Sequence, residues 1–103
     1  MGDESIVIET TEAFLEDTPG SIKQMKAAYA NEDWDRLARI AHKIKPNLSY
    51  MGMDRARELI LDLEEQSKNR EFADDFRQQI KELDQLCEQA FDELSEKVEQ
   101  LKN

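Results

Sequence analysis

The chain has 103 residues, of which 37% are charged and 39% are hydrophobic, with only three glycines and two prolines. A chain of this length can bury one modest core, and its composition favours a soluble helical bundle over a sheet protein or a disordered chain. The net charge of −10 argues against partners such as nucleic acids and anionic membrane surfaces.

The N-terminal third of the chain predicts two helices. A short first helix covers residues 4–16, and Thr18 and Pro19 then predict a new helix start. Thr18 is a favourable N-cap, and a proline in the first helical turn loses no hydrogen bond. The second helix is predicted to end at Asn31.

Two further helices are predicted in the middle of the chain. Asp33 caps a third helix that runs to Met51, and Gly52 supplies the left-handed residue that commonly ends a helix. Asp54 caps a fourth helix that runs to Lys68. Both helices carry their apolar residues on one face, as expected for helices that pack in a bundle.

A long last helix is predicted over residues 71–102. Its apolar residues recur at steps of three and four: Phe72, Phe76, Ile80, Leu83, Cys87, Ala90, Leu94, Val98 and Leu101. Because the connections are short, neighbouring helices should run antiparallel. We therefore predict an all-α, single-domain protein over residues 1–103. Its architecture would be an antiparallel up-down-up-down four-helix bundle, with an additional short N-terminal helix and a long C-terminal helix.

The residue counts also limit the chemistry and the location of the protein. With one cysteine and one histidine, the chain can form neither an internal disulfide nor a zinc site, and Cys87 should pack as a small buried hydrophobe. No apolar run is long enough to span a membrane, and no signal peptide is recognisable. We expect no bound metal, no contact with membranes or nucleic acids, and a cytoplasmic location.

His42, the only histidine, is predicted to face solvent. On a helical wheel at about 100° per residue, the apolar residues of the third helix lie within about 60° of Leu37, whereas His42 lies at about 140°. Its neighbours on that face are Ala38, Arg39, Lys45, Pro46 and Ser49. A lone exposed histidine usually has no function, so its surroundings decide the interpretation.

Three features around His42 favour a functional site. Ala38 and Pro46 are small, so a flat partner surface can approach the ring. Residues 36–57 carry a charge of +5 in an otherwise acidic chain, which suits an anion attached to the imidazole. The cations nearest to the histidine in sequence are Arg39, Lys43 and Lys45. An imidazole is also largely neutral at cellular pH, and is then a competent nucleophile.

Pro46 lies four residues after His42, and it removes the hydrogen bond that an N–H would donate to the His42 carbonyl. An interior proline costs a helix about 3 kcal/mol. The helix could therefore end at Lys45, since the residue before a proline avoids helical angles. Because the apolar positions stay in phase across the proline, we instead predict one helix that is bent or loosened here. The alternative is a proline without a functional role.

Residues 42–52, HKIKPNLSYMG, resemble the signature of histidine-containing phosphotransfer (HPt) domains. That signature is a histidine, an aliphatic residue two positions later, a lysine three later, a glycine four later and another glycine ten later. Four residues match in type and spacing: His42, Ile44, Lys45 and Gly52. Pro46 replaces the first glycine, and Asn47 stands where a serine is usual. The lead-in over residues 34–41 and the helix count are also similar, so the resemblance covers nearly the whole chain.

The resemblance implies a phosphorelay intermediate that is not an enzyme and has no kinase or nucleotide-binding site of its own. His42 would accept a phosphoryl group from the phospho-aspartate of one receiver domain and pass it to another, and Lys45 would hold the phosphoryl oxygens. Partner-binding residues would be Ala38, Arg39, Lys43, Pro46 and Ser49, and Gly52 would have a structural role. The implied partners are response-regulator receiver domains and a hybrid histidine kinase. We expect a monomer without a cofactor, with Mg²⁺ on the receiver only.

Two alternatives stay open. A structural or adaptor bundle could oligomerise through the long last helix, and His42 would then be incidental. The dimerisation and phosphotransfer domain of a histidine kinase usually has an acidic residue directly after the histidine and a proline five residues on. Here Lys43 follows the histidine, and the proline comes after four residues. No segment resembles a phosphate loop or a nucleotide pocket.

Overall fold

The computed structural model describes the backbone of residues 2–103 and the side chains of residues 4–103. Within these residues the chain forms four α-helices: α1 (Gly2–Ala30), α2 (Trp34–Tyr50), α3 (Asp54–Asn69) and α4 (Phe76–Lys102). Helices α1 and α3 each pack on both α2 and α4, so the four helices enclose one core. The prediction of an all-helical bundle is confirmed.

The short N-terminal helix predicted before Thr18 is not a separate element, and this prediction is wrong. Helix α1 continues through Pro19 without a break. Buried residues recur every three or four positions on both sides of the proline: Thr11, Phe14, Thr18, Ile22 and Met25. Burial of this continuous stripe outweighs the single hydrogen bond that the proline removes, because each large apolar side chain contributes about 1.5–3 kcal/mol.

The connection between α1 and α2 is three residues long and ends in the predicted cap. The left-handed residue that terminates α1 is Glu32, with φ of 54°, rather than Asn31. The Asp33 side chain accepts a hydrogen bond from the backbone N–H of Arg36 at 3.3 Å. Asp33 therefore caps α2 as predicted, because its carboxylate satisfies an N–H that has no partner within the helix.

The end of α2 and the start of α3 form a tight turn around Gly52. Helix α2 continues through Pro46 to Tyr50, which confirms the prediction of one helix across the proline. Gly52 follows with φ of 71°, a left-handed conformation that is cheapest for glycine. The prediction that Asp54 caps the next helix is wrong. Asp54 is already the first residue of α3, and Met53 takes the N-cap position without a side-chain hydrogen bond.

Helix α4 begins at Phe76, five residues later than predicted from residue 71. Arg70, with φ of 55°, ends α3, and the chain needs residues 71–75 to reverse its direction. Gln66 fastens this loop, since its Oε1 accepts a hydrogen bond from the Ala73 N–H at 2.8 Å. Apolar periodicity extended the predicted helix too far, because Phe72 packs from the loop rather than from a helix.

The loop between α3 and α4 is covered by an aromatic cluster at this end of the bundle. The ring centroid of Phe72 lies 4.6 Å from that of Trp34 and 4.9 Å from that of Phe76. Tyr29 completes the cluster, with its ring centroid 5.9 Å from that of Phe76. Aromatic pairs stabilise a fold by more than the burial of their surface alone. The cluster therefore holds the ends of α1, α2 and α4 together.

Two other sequence features can be checked against the core. Cys87 is completely buried, and this burial raises the pKa of its thiol to about 12, so the prediction of a small buried hydrophobe is confirmed. Among the residues described, no helix combines the length and the apolar character that crossing a membrane requires.

Helices α2 and α3 run antiparallel, and this pairing positions the candidate site. Asp35 near the start of α2 accepts a hydrogen bond from Arg70 just after α3, at 3.0 Å. One and two turns further along α2, residues therefore lie beside the C-terminal half of α3. This register brings His42 next to Glu64, which is 22 residues away in sequence.

The continuity of α1 through Pro19 can be tested by substitution. We expect Pro19→Ala to raise the free energy of unfolding by about 1–3 kcal/mol, because alanine restores an N–H that can be donated to the Leu15 carbonyl. Gly20→Ala is a companion variant, since a Cβ at that position has no atom within 4 Å. It should add about 0.5–1 kcal/mol inside a helix. Urea denaturation measures both values, and a loss of stability in Pro19→Ala would instead support a helix start at this residue.

Candidate functional site

The His42 side chain projects from the outer face of α2. It is 68% exposed, whereas its neighbours Ala41 and Ile44 are almost completely buried. The helical periodicity of the sequence predicts this orientation, because Ala41 and Ile44 belong to the buried stripe and His42 does not. The imidazole is therefore accessible to a partner protein.

The imidazole is held from one side by Glu64 of α3. Its Nδ1 lies 2.9 Å from Glu64 Oε2, and only 7% of the Glu64 side chain is exposed. Since an ionised carboxylate can only accept hydrogen bonds, the proton of the neutral imidazole must be on Nδ1. The other ring nitrogen, Nε2, then keeps its lone pair. The hydrogen bond thus fixes both the tautomer and the orientation of the ring.

Two lysines complete the environment of the Glu64 carboxylate. Lys45 Nζ lies 3.2 Å from Oε1, and Lys68 Nζ lies 3.3 Å from Oε2. Burial alone would raise the pKa of Glu64, but the hydrogen bonds from Lys45, Lys68 and His42 outweigh burial and hold this pKa below its ordinary value. Glu64 is therefore ionised at neutral pH.

The sequence did not lead us to assign Glu64 and Lys68 to the site, although the position of Glu64 in its helix could have indicated a role. It lies in phase with the buried residues of α3: Ala56, Leu59, Ile60, Leu63 and Ser67. A glutamate in such a stripe is unusual, because a buried carboxylate needs partners. Lys68 follows one turn later, at the spacing that allows a glutamate and a lysine to pair. The pairing of Glu64 with His42 could not be predicted, because it depends on the register of α2 against α3.

Four of the five residues predicted to bind partners, all except Lys43, line two surface hollows that share His42. The first hollow lies toward the C-terminal end of α2 and is lined by His42, Lys45, Pro46, Ser49, Tyr50 and Arg57. The second lies toward the N-terminal end of α2 and is lined by Asp35, Ala38, Arg39, His42 and Lys68. Sequence reasoning did not assign Tyr50 and Arg57 to the site.

The individual predicted residues differ in what they offer to a partner. Arg39, Lys43 and Pro46 are exposed, but Lys43 lines neither hollow. Ser49 is exposed and its hydroxyl donates to the Lys45 carbonyl at 3.3 Å. Ala38 is only 6% exposed, so it contributes a floor to the second hollow rather than a projecting contact.

Comparison with protein families identifies the domain type. A family model, described as the Hpt domain, matches residues 9–103. The chain belongs to the Hpt domain family. Members of this family are phosphocarriers rather than enzymes, and carry out histidine phosphotransfer in two-component signalling through receiver domains and histidine kinases. No curated protein and no solved structure matches the chain.

The ionised state of Glu64 in this Hpt domain should contribute to stability in a pH-dependent way. Because its pKa is held below the ordinary value of 4.5, the contribution is complete above that pH and is lost as the pH falls through the lowered value. We expect Glu64→Gln to lower the free energy of unfolding by about 1–2 kcal/mol at neutral pH, and by progressively less as the pH falls below 4.5 through the lowered pKa.

Urea denaturation of both proteins over a series of pH values, from neutral to acidic, measures this difference. The comparison is made in a His42→Gln background, so that ionisation of the imidazole does not contribute. Glu65→Gln is the matched control, since Glu65 is the exposed neighbour of Glu64, and it should change stability by less than about 0.5 kcal/mol. An equal loss for Glu64→Gln over the whole pH series would contradict the assigned ionisation.

Proposed function

We propose that this Hpt domain accepts a phosphoryl group on Nε2 of His42 from the phospho-aspartate of one receiver domain and passes it to the aspartate of another. The observation that carries the proposal is the hydrogen bond between His42 Nδ1 and the buried Glu64 carboxylate. It leaves the lone pair on Nε2 of a ring that is 68% exposed. His42 is also the only histidine of the chain.

The geometry supports a transfer that needs no proton movement. The Nε2 lone pair attacks phosphorus, an N–P bond forms, and the P–O bond to the receiver aspartate breaks and releases a carboxylate. Nδ1 keeps its proton, so the ring becomes a phosphoimidazolium cation. The buried Glu64 carboxylate faces this developing charge at 2.9 Å, where it is already in place to stabilise the transition state. Donation to the second receiver reverses these steps.

Lys45 is the best placed residue to hold the phosphoryl oxygens. It follows His42 by one helical turn and lines the same hollow. Phosphoryl transfer depends mainly on positioning and on neutralisation of charge, and an ammonium group supplies both. Mg²⁺ would be contributed by the receiver domain, as would its phosphorylated aspartate. This Hpt domain would therefore act without a cofactor and without kinase activity of its own.

The surface around His42 supports docking of a receiver domain. Three exposed or half-buried cations lie within one helical turn of His42 along α2, and they attract the acidic phosphorylation site that a receiver brings: Arg39, Lys43 and Lys45. The side chains beside the ring are small and do not project far from the helix, so the partner can approach closely: Ala38, Pro46 and Ser49. A hybrid histidine kinase as the source of phosphate, the cytoplasmic location and the monomeric state stay predictions.

Transfer from a phosphorylated receiver tests the proposal directly. We expect radiolabel to appear on the protein as an acid-labile and base-stable phosphate, and to be absent from His42→Gln. Lys81→Gln, which removes an exposed cation of α4, should be labelled like the wild type. A wild-type protein that stays unlabelled across a panel of receivers, or a labelled His42→Gln variant, would refute the proposal.

The role of Pro46 gives a second test. The proline already leaves the His42 carbonyl without an N–H partner and keeps the surface low, so Pro46→Gly should retain the transfer rate within about tenfold. Pro46→Phe adds bulk in the hollow beside His42 and should slow transfer by more than about tenfold. Rates are measured by rapid quench with one phosphorylated receiver. A loss of about a hundredfold in a folded Pro46→Gly protein would contradict this interpretation.

A further inference from the structure

Lys68 occupies a position that phosphorylation of His42 would disturb. Its Nζ and the His42 Nδ1 both contact the same oxygen, Glu64 Oε2, at 3.3 Å and 2.9 Å. Lys45 contacts the other oxygen, Oε1. In the unloaded protein, one carboxylate therefore balances two ammonium groups.

A phosphoryl group on His42 would change the competition for that oxygen. The phosphoimidazolium ring is a cation, so its hydrogen bond to the ionised Oε2 gains a charged donor and becomes stronger. The phosphoryl group simultaneously brings up to two negative charges into the same region. The contact of Lys68 with Glu64 is then weakened, and the phosphoryl group offers Lys68 a more strongly charged anion nearby.

Lys68 is also free to move, in contrast to Lys45. Its side chain is 60% exposed, whereas that of Lys45 is 28% exposed. Glu64 is buried and needs partners for its charge, but the phosphoimidazolium ring at Oε2 and Lys45 at Oε1 would still supply them after Lys68 leaves. The contact between Lys68 and Glu64 can therefore be exchanged in the loaded protein.

The second hollow shows where Lys68 would go. Lys68 lines this hollow together with His42 and Arg39, on the side of the ring away from Pro46. The one acidic residue that lines it, Asp35, already accepts a hydrogen bond from Arg70 at 3.0 Å. An anion on His42 would thus meet cations in both hollows, with Lys45 in one and Lys68 in the other.

We propose that Lys68 is a second phosphoryl-holding residue, which leaves Glu64 when His42 is phosphorylated and binds the phosphoryl oxygens from α3. This inference rests on the proposed phosphorylation of His42. It assigns two states to one lysine: counter-ion of Glu64 in the unloaded protein and ligand of the phosphoryl group in the loaded protein.

The test uses phosphoramidate, a small phosphodonor that phosphorylates histidine and releases ammonia, so that no receiver is needed. NMR spectra of protein labelled with ¹³C-lysine are recorded before and after loading. We expect the Cε signals of Lys45 and Lys68 to shift, and that of Lys81 on α4 to stay in place. Lys68→Arg identifies the Lys68 signal by its loss. A Lys68 signal that moves no more than that of Lys81 overturns the proposal.

A thermodynamic cycle provides a second readout that a purely structural role would not change. If Lys68 only partners Glu64, Lys68→Ala lowers the melting temperature of the loaded protein no more than that of the unloaded protein. If Lys68 binds the phosphoryl group, the decrease should be about twice as large in the loaded protein, and Lys68→Arg should restore most of it.

The outcomes separate this inference from the proposed function. Loading by phosphoramidate without transfer from any receiver would refute the receiver partnership, while the two readouts for Lys68 would still decide its role. Normal transfer with an unmoved Lys68 signal and a melting decrease that is no larger in the loaded protein would overturn the role of Lys68 alone. A wild-type protein that takes up no phosphoryl group, from phosphoramidate or from any receiver, would overturn both.

Discussion

The site depends on one buried carboxylate between two helices. Glu64 belongs to the buried stripe of α3, yet its two oxygens face α2, where they meet His42 Nδ1 at 2.9 Å and Lys45 Nζ at 3.2 Å. A buried charge is tolerated only where partners satisfy it, so the contacts that make the carboxylate stable also hold the imidazole in one tautomer. The stability of the helix pair and the chemistry of the histidine therefore have the same origin.

Both prolines show how packing overrides a local rule. Pro19 and Pro46 each remove one backbone hydrogen bond, and each lies inside a continuous helix. In both helices the buried residues stay in phase on either side of the proline. Ending the helix there would expose apolar surface, at a greater cost in free energy than the loss of one hydrogen bond. The consequences differ with position. At Pro46 the proline is exposed beside His42, where it shapes the surface that a partner would meet.

Features set by local periodicity could be predicted, and features set by contacts between helices could not. The outward direction of His42 follows from the spacing of Leu37, Ile44 and Leu48, which are buried. The pairing of His42 with Glu64 needs the register of α2 against α3, which no local pattern contains. The late start of α4 escaped prediction for a related reason. Phe72 continues the apolar pattern, but it reaches Trp34 from a loop that Gln66 fastens.

The balance of charge around His42 connects the two proposals. In the unloaded protein the neutral imidazole, Glu64, Lys45 and Lys68 together carry about one positive charge, inside a chain of net charge −10. Phosphorylation would add a dianion and convert the ring to a cation, which brings this group close to neutrality. The unloaded face would therefore attract an acidic receiver site more strongly than the loaded face does. Such a difference would favour release of the donor after the proposed transfer, because the transferred charge would weaken the attraction between the two proteins.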